Sequence, residues 1–133
     1  DLHDWLLDAG SSTQVIGGGP WALGIGGRWK GRTRQETVLR LSDGALSGSG
    51  FEVRGEHIFD VRRGGPAVRW AQSWSRARTG AVADALSTAA LALDARELAA
   101  ACRELEAGVW VAREQRPWLD RLRDPLTKFG RVP

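Results

Sequence analysis

The chain is poor in the residues that most often carry metal or nucleophilic chemistry. It holds one cysteine, Cys102, two histidines, His3 and His57, and no methionine. A lone cysteine excludes an internal disulfide, and one set among alanines on a helical pattern reads as a small core residue. A reducing compartment or an organelle interior is compatible with that usage. The missing methionine leaves the chain without an initiator residue, compatible with a removed presequence, and no basic-then-apolar signal stands at its start. Neither histidine has an i+4 partner or neighbouring Cys and His, which excludes a local metal-ligand set. Long apolar runs are missing too: the stretch around Ala89 to Leu93 falls far short of the roughly 20 residues a bilayer crossing needs, so a soluble protein is expected. Lysine occurs only as Lys30 and Lys128, so the 19 basic residues that outnumber 16 acidic ones are nearly all arginine. The net charge of +3 permits an acidic partner but shows no concentrated electrostatic footprint.

What is present suits one globular domain. At 133 residues, 42% of them hydrophobic and 26% charged, the chain is long enough to bury a core without staples. Leu2, Trp5, Leu6 and Ala9 fall at i, i+3, i+4 and i+7 before Gly10, which predicts an amphipathic helix over residues 1–10. Residues 11–27 are Ser- and Gly-rich and read as a loop, or as a glycine-kinked strand around Trp21, Leu23 and Ile25.

From Arg28 to Trp74 the period is two, predicting an antiparallel β-meander. Asp43-Gly44 marks one hairpin turn and Gly64-Gly65 another, while Gly48 and Gly50 mark a bulge or sharp curvature. Residues 81–106 are rich in Ala, Leu, Glu and Arg, the strong helix formers, with a capping-box start at Asp94 and Glu97 and an apolar stripe of Leu98, Ala101, Cys102 and Leu105. Val109 to Val111 reads as a closing strand, Pro117 to Arg123 as a final helical turn, and 125–133 as a tail. The expected fold is α+β: a meander curled into a small barrel or half-barrel, with an N-terminal helix and a mostly helical stretch over 81–124 packed on it.

Gly27-Arg28-Trp29-Lys30-Gly31, Leu39-Arg40-Leu41-Ser42-Asp43-Gly44 and Leu46-Ser47-Gly48-Ser49-Gly50 resemble the Gly-x-Trp-x-Gly opening, turn and Ser-Gly strand of lipocalin-like or avidin-like small barrels. The resemblance covers residues 27–74. Its residues are packing and turn positions, so it implies a fold more than an activity.

Candidate sites follow from the aromatic and basic residues. Gly26 to Thr33 matches the spacing of a phosphate-cradling loop except for Arg32 at the lysine position, and a strand pattern rather than a helix follows it, so its glycines read as strand curvature. His57 has the proton affinity of a general base, with Glu56 or Asp60 beside it, yet no nucleophile elbow accompanies it. Seven tryptophans are the chain's most unusual feature. Trp29, Phe51, Phe59, Trp70 and Trp74 would fill the core or line a cavity for a small apolar ligand. Trp5, Trp21 and Trp118, with Arg121 and Arg123, would serve as interface anchors. Lys30, Arg32, Arg34 and Arg40 would track phosphates of a single-stranded nucleic acid. With no catalytic constellation and no cofactor or metal motif, the sequence reads as a non-enzymatic binding or docking module, an accessory subunit of a larger protein complex. The alternatives are an apolar-ligand carrier and a nucleic-acid binder.

Overall fold

The structure is a computed structural model that describes residues 3–10, 13–29, 32–51, 57–67 and 69–112, with the side chains of 27–29 and 32–36 outside that description. It is mixed α+β, built on antiparallel sheets and two helices, and the described strands close no barrel. Three strands open the chain: β1 (Trp5–Asp8), β2 (Thr13–Gly17) and β3 (Trp21–Trp29). They are followed by β4 (Arg32–Leu41), β5 (Gly44–Gly50), the two-residue pair β6 (Phe59–Asp60) and β7 (Gly65–Pro66), and β8 (Gln72–Ala77). Helices α1 (Gly80–Ala90) and α2 (Ala95–Glu104) precede the last described strand, β9 (Gly108–Ala112).

The expected N-terminal helix is instead a strand. Residues Trp5, Leu6, Leu7 and Asp8 pair with Gly17, Ile16, Val15 and Gln14, and the turn between them is closed by the Ala9 N–H on the Thr13 carbonyl at 3.1 Å. The helical spacing of Trp5, Leu6 and Ala9 finds no core to face, for all four residues of β1 are exposed. What competes with the helix is the open edge of β2, whose backbone groups need partners. The indole of Trp5 lies where a Cβ on Gly17 would stand, so glycine there lets the two strands close.

The expected meander is also corrected, because β4 and β5 follow each other in sequence without pairing. β2 pairs with β5, and β3 with β4, so residues 13–29 and 32–50 form one long antiparallel ribbon bent at a corner. The corner is 17–20 on one arm and 42–43 on the other, with Asp43 in the left-handed region at φ 43°. Asp43 bridges the arms: its Oδ1 accepts from Gly18 N–H at 2.7 Å, and its own N–H donates to the Gly18 carbonyl at 3.2 Å. Asp43-Gly44 is thus a corner between two sheets, not a hairpin turn within one. Gly48 and Gly50 make no bulge, since β5 keeps a regular register with β8. Glycine at 48 accommodates the Trp74 ring, which a Cβ would meet at 3.1 Å. The register shift lies at Ile25/Gly26 instead.

The main sheet has the order β1-β2-β5-β8-β9 and two unlike faces. On one face the outer arm of the ribbon lies over the sheet, so Leu23, Ile25, Leu39 and Leu41 meet Ile16 and Leu46, with Trp21, Trp74 and Trp110 packed against them. The other face carries Thr13, Ala45, Ser47, Ser49, Ser73, Ser75 and Ala77, one step out of register with the first, as strand alternation requires. Helix α1 covers this second face, burying Ala83, Leu86, Ser87 and Ala90 at i, i+3, i+4 and i+7. A further cluster of Trp70, Leu86, Leu91, Leu98, Val109 and Val111 joins both helices to β9.

The helical and closing-strand expectations are realised in this architecture. Thr79 caps α1 through Val82 N–H, and Asp94 with Glu97 forms a complete capping box on α2. The expected helical turn at Pro117 to Arg123 lies outside the described residues.

Because Leu86 belongs to the core under both helices, Leu86→Ala should cost about 2–5 kcal/mol in urea unfolding. Leu7→Ala on the exposed β1 should change stability by less than about 0.5 kcal/mol. Equal effects would contradict this placement of the core.

Candidate functional site

The helix-covered face of the sheet is polar where a core is ordinarily apolar. Ser47, Ser73, Ser75 and Ser87 are all 0% exposed. Buried hydroxyls are costly unless satisfied, and most of these are satisfied by one another or by α1. Ser73 Oγ donates to the Ser87 carbonyl, and Ser87 Oγ donates to the Asp84 carbonyl at 2.9 Å. Ser49 Oγ lies 2.8 Å from Ser87 Oγ and 3.1 Å from Thr88 Oγ1.

At the other end of this chain of hydroxyls stands a carboxylate. Thr13 and Ser47 are cross-strand partners with their hydroxyls 2.8 Å apart. Both donate to Asp84 Oδ1, at 3.1 and 3.0 Å. The helix does the positioning: Asp84 and Thr88 are one turn apart, on the flank of the face that α1 buries, and both are exposed. Thr13, Ser47, Ser49, Asp84, Ser87 and Thr88 thus make a continuous edge of oxygen atoms, buried in its middle and open to solvent at Asp84 and Thr88.

Chemically, such an edge accepts hydrogen bonds at Asp84 and both donates and accepts at the hydroxyls. Its oxygens are of the kind hard divalent cations take. Yet no group of three or more His, Cys, Asp or Glu suited to a metal exists among the described residues, so Asp84 would need donors from elsewhere to hold one.

A second polar assembly clasps the β6–β7 hairpin onto the helices. Asp60 is buried where the hairpin enters its turn, accepting from Arg62 N–H at 3.0 Å, while its carbonyl accepts from Gly64 N–H at 2.9 Å. Arg62 reaches across to Glu97 Oε1 at 2.6 Å and to the Ala92 carbonyl at 3.2 Å. Beside it Trp70 Nε1 donates to the Leu93 carbonyl at 3.0 Å. Burial alone would raise the Asp60 carboxyl, but the Arg62 backbone and guanidinium, helped by Arg63, outweigh it and hold its pKa below the ordinary value. Glu97 is held low by the Asp94 N–H it accepts from and by Arg62. The bond to Glu97 in turn raises Arg62.

The residues singled out in the sequence are scattered. Trp70 and Phe51 pack with the helices, and the Phe51 ring meets His57 edge-on at 6.3 Å. Trp74 lies on the opposite face of the sheet, and Phe59 is 60% exposed. The proposed cavity set is therefore not brought together: Trp70 and Trp74 have the sheet between them, and the Trp29 side chain lies outside the description. Of the interface set, Trp5 is on the exposed face of β1 and Trp21 is half-buried, its Nε1 donating to the Gly17 carbonyl at 3.4 Å. Trp118, Arg121 and Arg123 lie outside the described residues. Arg40 is exposed on β4 opposite Ala22, Arg32 and Arg34 are placed as backbone of β4, and Lys30 lies outside the described residues. The phosphate-loop spacing of 26–33 falls across the end of β3 and the start of β4. His57 is exposed, Asp60 is committed to its hairpin, and Glu56 lies outside the described residues. Cys102 is half-buried, its thiol pushed up by burial.

Sequence reasoning passed over the oxygen edge. Its signal was present: serines at alternate positions of two strands, 47 and 49 then 73 and 75, and an Asp and a Thr one helical turn apart at 84 and 88.

Comparison with known proteins corrects the family expectation. The ApbE family profile matches residues 1–111. Among solved structures, the ApbE protein of Thermotoga maritima is 26% identical with a TM-score of 0.65, over 82% of this chain and 40% of that one. The flavinyl transferase ApbE of Pseudomonas stutzeri, in its apo form, is 22% identical with a TM-score of 0.61, over 82% of this chain and 37% of that one. The flavin transferase ApbE of Vibrio cholerae is 23% identical with a TM-score of 0.57, over 74% and 35%. No curated protein matches the chain. This chain therefore spans well under half the length of the solved structures it matches. The match overturns the lipocalin-like or avidin-like resemblance, which rested on turn and packing residues within 27–74. The family match over residues 1–111 also overturns the reading as a non-enzymatic docking module or accessory subunit, with its carrier and nucleic-acid alternatives.

The clasp yields a pH-dependent expectation. The carboxyls of Asp60 and Glu97 titrate lower folded than unfolded, so the stability they lend is present above the unfolded range of about pH 4 and is lost as the pH falls through the folded values. In Arg62→Ala at neutral pH, hydrogen exchange at the Gly64 and Ala67 amides should speed up several-fold while the α2 cap stays protected. As the pH is lowered below the ordinary carboxylate range, the difference between wild type and variant should shrink. Unchanged protection at neutral pH would mean that Arg62 holds nothing.

Proposed function

The chain belongs to the ApbE family, and from that premise we propose that it takes part in flavin transfer, moving a flavin from a donor molecule to an acceptor. The observation that carries the reading is the family match over residues 1–111, a span that contains every member of the oxygen edge from Thr13 to Thr88. The names of the Pseudomonas stutzeri and Vibrio cholerae structures supply the group transferred.

In such a reaction the bond between flavin and donor is exchanged for one to an acceptor nucleophile, so the protein must first hold a large, polar, multiply hydroxylated molecule in one orientation. The oxygen edge suits that task. Asp84 accepts from hydroxyls of a flavin's sugar-like chain, and Thr88, whose hydroxyl faces solvent, donates to a phosphate oxygen, while Thr13 and Ser49 keep their protons on Asp84 and Ser87. The edge is pre-organised, because the hydroxyls already hold one another in place before any ligand arrives. A small polar edge set against a rigid sheet and helix also fixes geometry better than a loop would.

Titration of the chain with riboflavin, flavin mononucleotide and flavin adenine dinucleotide, followed by flavin fluorescence, checks this. At least one should bind saturably, and Asp84→Ala should weaken it about tenfold, the worth of one hydrogen bond to a charged group, with an unchanged circular dichroism spectrum. Absence of binding by all three, or binding indifferent to both Asp84→Ala and Thr88→Val, would overturn the reading.

A further inference from the structure

The β6–β7 hairpin presents an unusual surface for so short an element. Phe59 is 60% exposed and Val61 is 83% exposed, while Asp60 between them is 3% exposed. The last strand residue pair and the turn that follows thus leave both large apolar side chains, Phe59 on β6 and Val61 in the turn, toward solvent and the hairpin's one carboxylate inward. The next two residues, Arg62 and Arg63, have side chains 50% and 55% exposed. With Asp60 turned inward, the charges this tip shows outward are both positive.

Singly exposed apolar residues are ordinary, but this pair is held rigid. The hairpin is closed by Phe59 against Pro66 and Asp60 against Gly65, and Ala67 N–H bonds the Ile58 carbonyl at 2.9 Å. Arg62 then locks it to Ala92, in the turn that follows the helix carrying Asp84 and Thr88, and to Glu97 in the first turn of α2. A rigid apolar pair costs little entropy to dock, and aromatic and Arg side chains side by side are the usual anchors of recognition surfaces.

We propose that the Phe59-Val61-Arg63 face of this hairpin is a docking surface for the acceptor, a polypeptide segment that presents an apolar side chain beside one or more carboxylates. This rests on the flavin-transfer reading, because transfer requires an acceptor and charge complementarity selects an acidic one. The apolar member enters against Phe59 and Val61, and its carboxylate meets Arg63, whose ion pair with Asp60 is long at 3.7 Å and readily shared.

Fluorescence anisotropy with three labelled twelve-residue peptides tests it: one of Leu and Glu, one of Leu and Lys, and one of Ser and Glu. The Leu/Glu peptide should bind and the other two should bind at least fivefold more weakly. Phe59→Ser with Val61→Ser, and separately Arg63→Glu, should each cost at least fivefold, while Arg78→Glu, on an exposed arginine elsewhere, should not. Equal binding of all three peptides, no binding, or indifference to the hairpin variants would overturn the proposal. So would a self-associated chain in sedimentation whose dimer dissolves in Phe59→Ser, which would assign the tip to a second copy. The flavin titration run on the same variants separates the two ideas. Flavin binding retained with peptide binding absent sinks the docking surface alone, and flavin binding absent from the wild type sinks the reading beneath it.

Discussion

The proposed site depends on one helix lying close against a face of hydroxyls. Ser47, Ser73, Ser75 and Ser87 are wholly buried between the main sheet and α1. An apolar sheet face of ordinary size would hold the helix further off. Small residues, Ala45, Ala77 and Ala83 among them, let it come down, and the closeness brings Asp84 within hydrogen-bond reach of Thr13 and Ser47. The constraint works in both directions: the hydroxyls need the helix for partners, and the helix needs them to fix its rotation. A helix turned by one residue would bury Asp84 without the partners that a buried charge demands.

The opposite face of the same sheet solves a different problem. It carries the large side chains, Ile16, Leu46, Trp74 and Trp110, and is covered by the chain's own ribbon after it turns the corner at Asp43. Each Å² of apolar surface removed from water here contributes roughly 25 cal/mol. The division of labour leaves the α1 face free to be polar. Apolar burial occurs on both sides of the sheet, with the ribbon on one and with the ends of the helices on the other, and only the strip beneath the middle of α1 is lined by hydroxyls.

How much of this was legible in the sequence varies with how local the cause is. The α2 capping box was readable because Asp94 and Glu97 bond to groups within three residues. The helical character of 81–106 and the closing strand β9 followed from composition and period for the same reason, while the break between α1 and α2 did not. The β1 strand was not readable, because Trp5, Leu6 and Ala9 fit a helical stripe and only the open edge of β2 decides otherwise. The pairing of β2 with β5 was equally hidden. Asp43-Gly44 has the chemistry of a hairpin turn, and nothing local says that its flanking strands belong to different sheets. The oxygen edge joins residues from 13 to 88 and is held by contacts across 34 to 71 positions of sequence, so strand alternation hinted at its serines without revealing what they meet. The tryptophans drew attention by their number, yet the described ones serve both faces: Trp21, Trp74 and Trp110 pack on one, Trp70 on the other, and Trp5 is exposed.

If the hydroxyl face and α1 form the binding part of a flavin-transferring domain, a flavin should report on them directly. The most direct measurement is the map of backbone amide chemical-shift changes in the isotopically labelled chain as flavin adenine dinucleotide is added. The account predicts the largest changes at Thr13, Ser47, Ser49, Asp84, Ser87 and Thr88, with Trp21, Trp74 and Trp110 on the far face little moved. Changes concentrated on the tryptophan face, with the α1 residues still, would contradict it.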